Sequence, residues 1–65
     1  MPDFGPSNEH ELDIARIVDR ISIEGRLYPS AEPEVLALLG FMMSRKDREF
    51  LGRYIQWRVE NPIPK

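Results

Sequence analysis

A chain of 65 residues with a net charge of −2 and no cysteine is at most one domain, and neither disulfides nor thiolate-bound metal can staple it. At that length a folded chain buries only about 60% of the surface exposed when unfolded, so its core is worth about 3–5 kcal/mol, and oligomerisation is the remaining route to more. No run of about 18 apolar residues is present to span a bilayer, and Met1-Pro2-Asp3-Phe4-Gly5-Pro6 lacks the basic-then-apolar order of a secretory signal. A cytoplasmic protein without membrane contact is predicted.

Residues 1–6 hold two prolines and a glycine without periodicity, which reads as a loose tail. Ser7 and Asn8 are good N-caps, Asn8 followed by Glu11 resembles a capping box, and Glu9 and Glu11 suit the helix dipole. A helix is predicted from about residue 8 to residue 23, with Ile14, Ile17, Val18 and Ile21 as its apolar stripe and Leu12 and Ile23 outside it. His10 lies one turn before Ile14, but without a second histidine or a cysteine it makes no metal site and is assigned no role. Gly25 supplies the left-handed residue that ends the helix. The alternation through residues 20–28 also fits a small hairpin turning at Glu24-Gly25, which alone would be only marginally stable.

Ser30 is the expected cap of a second helix with Glu32, Pro33 and Glu34 in its first turn, where proline costs no hydrogen bond. This helix, about residues 31–43, carries Val35-Leu36-Ala37-Leu38-Leu39-Gly40-Phe41-Met42-Met43, nine residues without a polar side chain. A helix apolar all round must be covered on more than one side. Ser44 with Asp47 has the form of a further capping box, so a tight turn at 44–46 is predicted, one long helix being the alternative. The third helix, about residues 46–60, gathers Phe50, Leu51, Tyr54, Ile55 and Trp57 on one arc. Asn61-Pro62 stops it, and residues 62–65 trail off extended.

These elements define an all-α, three-helix domain over residues 7–61, expected to dimerise. Small residues at Ala37, Gly40 and Ser44, with Phe41 at the edge, would form a shallow groove for a partner helix, and a monomer exposing it would carry an unusual apolar patch. Charge divides between the halves. Residues 1–34 hold eight acids against three arginines, a balance of −5, and residues 35–65 hold six bases against three acids, a balance of +3. Either the halves face each other or the basic half, through Arg45, Lys46, Arg48 and Arg53, meets an acidic partner.

No catalytic constellation is present: there is no glycine-rich phosphate loop and no Cys/His ligand spacing, and the paired carboxylates sit at helix starts, where capping explains them. No catalytic residue, cofactor or metal is therefore expected. Two functional classes remain. One is a non-enzymatic helical interaction or regulatory module acting as a homodimer, with an acidic protein surface as partner. The alternative is a helix-turn-helix-like nucleic-acid binder using the basic start of the third helix, against which stand a pI of 5.3 and few base-reading Asn or Gln.

Overall fold

The computed structural model describes residues 5–40 and 43–64. Three helices, α1 (Glu9–Ile23), α2 (Glu32–Leu39) and α3 (Arg45–Glu60), form a small all-α domain without strands among the described residues. Asn8 caps α1 as the sequence indicates, its side-chain oxygen accepting from the Glu11 N–H at 2.9 Å. The Glu11 carboxylate reaches back one residue further than a standard capping box and accepts from both the N–H and the hydroxyl of Ser7, at 2.9 and 2.8 Å. At the other end Gly25 adopts φ 76°, and its N–H and that of Arg26 return to the carbonyls of Ser22 and Ile21, at 3.1 and 3.0 Å. This Schellman closure satisfies the last carbonyls of α1 and removes the hairpin reading of residues 20–28.

The second helix departs from its predicted bounds at both ends. Tyr28-Pro29-Ser30-Ala31 forms a turn closed by the Ala31 N–H on the Tyr28 carbonyl at 2.9 Å, with Pro29 at its second position. Ser30 is thereby drawn into the turn and Ala31 becomes the N-cap, with no side-chain cap bond. Ala31 is itself buried. Gly40, at φ 66°, is the left-handed C-cap, so α2 ends at Leu39 and not near Met43. Glycine takes this conformation without a Cβ penalty, and a left-handed residue at this place closes the helix. The single long helix is excluded by the same cap. Ser44 then opens α3, its Oγ accepting from the Asp47 N–H at 3.2 Å, so Arg45 and Lys46 are the first residues of the helix and not part of a turn at 44–46.

The core is a cluster of Ile14, Ala15, Val18 and Ile21 from α1, Val35 from α2, and Phe50, Leu51, Tyr54 and Ile55 from α3. Leu36, Leu39, Met43 and Trp57 close over its margins. Helix α1 packs most extensively on α3, less on α2, and α2 touches α3 least. His10 meets Asp47 near the start of both long helices and Asp19 meets Tyr54 and Arg58 further along both, so α1 and α3 run in the same direction with α2 returning between them.

One residue of α3 has no internal justification. Gly52 is exposed in the middle of the helix, and a Cβ there would meet nothing within 4 Å. Glycine inside a helix costs about 0.5–1 kcal/mol relative to alanine. Gly52→Ala is therefore expected to raise stability by about that amount in a urea titration. A destabilised variant would mean that space beside Gly52 is occupied.

Candidate functional site

The polar side chains inside the fold are committed to one another. Tyr54 donates its hydroxyl to both oxygens of Asp19, at 2.9 and 3.1 Å, and Arg58 donates its Nε to Asp19 Oδ1 at 2.9 Å. The same guanidinium donates to the Tyr54 hydroxyl at 3.1 Å and to the Asn61 carbonyl at 3.1 Å, and lies over the Trp57 ring, 4.4 Å from its centroid. Tyr54 also stacks against Phe50, with ring centroids 5.4 Å apart. Arg58 thus holds the end of α3 to the middle of α1 through a charge-assisted pair, while its cation–π contact with Trp57 lies within α3. Desolvation pulls against its charge, but Tyr54 and Asp19 outweigh it and hold the guanidinium more firmly protonated than usual.

Burial pushes the Tyr54 hydroxyl above its ordinary value; the Arg58 hydrogen bond opposes this and the Asp19 carboxylate reinforces it. A raised value in the folded state means that the native protein holds this proton more tightly than the unfolded chain. The stability it contributes is fully present below the unfolded value, about 10, and is lost as pH rises past it through the folded value. Chain stability should fall above about pH 10, and Tyr54→Phe should flatten that part of the curve. Thermal melts of both proteins between neutral and alkaline pH make the comparison.

His10 Nδ1 lies 3.3 Å from Asp47 Oδ2, His10 being mostly exposed and Asp47 buried. Of the two pairs, only Asp19–Arg58 sets an acid of the first half against a base of the second; Asp47 is an acid of the basic half. Among the described residues no three His, Cys, Asp or Glu side chains are grouped so as to hold a metal ion, and no helix is long and apolar enough to cross a membrane.

The residues singled out as a dimer groove fall on a different geometry from the one their spacing suggested. Ala37, Gly40 and Ser44 are all exposed, but α2 ends between Ala37 and Ser44, so they share no helical face. Gly40 serves as the C-cap of α2 and Ser44 as the N-cap of α3. Phe41 lies outside the described residues. The four basic positions Arg45, Lys46, Arg48 and Arg53 are exposed, and none pairs with a carboxylate among the described residues. They form no single stripe. At about 100° per residue Lys46 and Arg48 lie on opposite margins of the outer face, with Glu49 between Arg45 and Arg53.

A recess that the sequence did not suggest opens between α1 and α2. It has a volume of about 470 Å³ and is lined by Ile17, Arg20, Ile21, Glu24, Arg26 and Leu38. Ile17 and Ile21 look like ordinary core positions of the α1 stripe, and at about 100° per residue Leu38 falls on one broad apolar face with Val35 and Leu39, so its exposure is not expected from the sequence. What sets them apart is which side of α2 meets the core. Val35 and Leu39 take its core-facing side, and Leu38 is left 55% exposed. Arg26 ties the lip together, bonding both Glu24 and Glu34. Its hydrogen bond and then its charge hold the Glu24 carboxyl below the ordinary range. Arg20 is uncommitted by comparison: its side chain is 82% exposed and its Nε is 3.9 Å from Glu24. No known protein family, curated protein or solved structure is significantly similar to this chain.

Proposed function

We propose that this chain is a small non-catalytic helical interaction module of the cytoplasm, working as a homodimer and presenting the outer face of α3 to an acidic protein surface. The observation that carries the reading is Leu38, a large apolar side chain more than half exposed beside an open cleft floored by Ile17 and Ile21. Exposed apolar surface gathered around a recess marks a site of association more often than an accident of folding. A core of this size also gains stability from a second copy, and that gain depends on concentration. Arg45, Lys46, Arg48 and Arg53, exposed and without carboxylate partners among the described residues, supply the second surface. Interspersed with Glu49, they suit a mixed, mainly acidic protein surface better than a uniform row of phosphates.

Sedimentation equilibrium tests the dimer. A mass near twice 7.6 kDa, with a melting temperature that rises with protein concentration, is the expected result. A lone 7.6 kDa species whose melting temperature is independent of concentration would sink it.

The same four cations support a second reading, a nucleic-acid binder with the start of α3 in a groove. Against it, α2 and α3 pack least of the three helix pairs, whereas a helix-turn-helix relies on those two elements as a unit. Duplex DNA binding that weakens steeply with salt, and is abolished in the Arg45→Ala, Arg48→Ala double variant, would favour this reading over the protein partner.

A further inference from the structure

We propose that the cleft between α1 and α2 is filled by a second copy of this chain, with Leu38 of each protomer entering the recess of its partner about a two-fold axis. This rests on the homodimer reading above and names its contact surface. Knob and recess occupy one patch: Leu38 stands on one wall of the cleft, and Ile17 and Ile21 form its floor. A patch carrying both halves of a contact is what a closed two-fold interface requires, because each side supplies what the other lacks.

The charges at the lip lead to the same occupant. Arg20 and Arg26 are balanced by Glu24 and Glu34, so the rim attracts neither a strongly acidic nor a strongly basic partner. It is complementary to itself. A two-fold axis at the cleft brings Arg20 of one protomer towards Glu24 of the other, and Arg20 is the charged group of the rim least engaged at home. A small apolar ligand fits less well, since ligand sites enclose about 70–90% of their occupant and this cleft is open along one side.

A standard interface takes about 800 Å² from each partner, a large share of the 4676 Å² surface of this chain, so a contact confined to the cleft is expected to give a weak, concentration-dependent dimer. Sedimentation equilibrium up to about 1 mM protein should show dimer for the unaltered chain. Leu38→Ser, at an exposed position, should weaken dimerisation at least tenfold while circular dichroism stays unchanged. Arg20→Glu should weaken it as well, and adding Glu24→Arg should restore it, because the exchange re-forms the pair across the axis. In a mixed sample of carbon-13-labelled and unlabelled chains, intermolecular Overhauser contacts should join the Leu38 methyls to those of Ile17 and Ile21. This measurement needs no variant to fold. A dimer that persists in Leu38→Ser and shows no such contacts overturns this surface and leaves the dimeric reading standing. A chain that remains monomeric throughout overturns both.

Discussion

Leu51→Ala is expected to leave the chain largely unfolded at 25 °C. Leu51 is fully buried in α3, at the centre of the cluster formed with Ile14, Val18, Ile21 and Val35. Emptying such a site costs about 3 kcal/mol or more, the lost transfer energy plus the residual cavity. In a domain of several hundred residues that would be tolerable. Here the whole core supplies only about 3–5 kcal/mol, so one cavity consumes most of it. Far-ultraviolet circular dichroism should show the helical signal collapse, and dimerisation should recover only part of it at high concentration. Leu12→Ala, at an exposed position of α1, should change stability by no more than about 0.5 kcal/mol. If Leu51→Ala instead melted within a few degrees of the unaltered protein, the packing described for α3 would be wrong.

The second large effect is expected at Asp19. Its carboxylate is the shared acceptor of the Tyr54 hydroxyl and the Arg58 guanidinium, and the Arg58 side chain is only 15% exposed. Asp19→Ala removes both bonds and leaves a partly buried cation with the Asn61 carbonyl, the Tyr54 hydroxyl and two aromatic faces. Hydrogen bonds to charged groups are worth about 1.5–3 kcal/mol, while alanine returns about 0.5 kcal/mol of helix propensity. A net loss of about 2 kcal/mol follows, read as a lower urea midpoint. Because the two partners act through one contact, Asp19→Ala and Arg58→Ala should be strongly non-additive in a double-mutant cycle. Additive effects would mean that the pair seen in the structure is not maintained in solution.

What the sequence discloses and conceals divides along a physical line. Asn8 with Glu11, Gly25, and Ser44 with Asp47 act within one turn of the chain, and each marks a helix boundary where the structure has one. The apolar stripes of α1 and α3 likewise became the core. Gly40 is the instructive departure. Set in the middle of nine non-polar residues, it reads as one small residue of a helical groove, yet its left-handed conformation closes α2 there. The same rule that identified Gly25 as a stop applies at Gly40, but the unbroken apolar run around it points towards continuation. The Asp19–Tyr54–Arg58 cluster and the His10–Asp47 pair were not legible, because 35 to 39 residues separate the partners. No periodicity records a contact at such distance. The recess at Leu38 was hidden for a related reason: it lies between two helices, and only their packing decides which apolar side chain of α2 stays outside.

The parallel course of α1 and α3 carries a kinetic consequence. Contacts joining residues 10 to 47 and 19 to 58 tie the two long helices into one unit, whereas α2, eight residues long, makes few contacts with α3. Opening such an element locally costs less than opening the whole chain. Backbone amides of α2 should therefore exchange with deuterium through brief local opening, and those at the centres of α1 and α3 only when the entire chain opens. Because the exposed leucine belongs to α2, self-association should slow exchange in that helix out of proportion to the rest, making its amides a direct gauge of the fraction of chains paired.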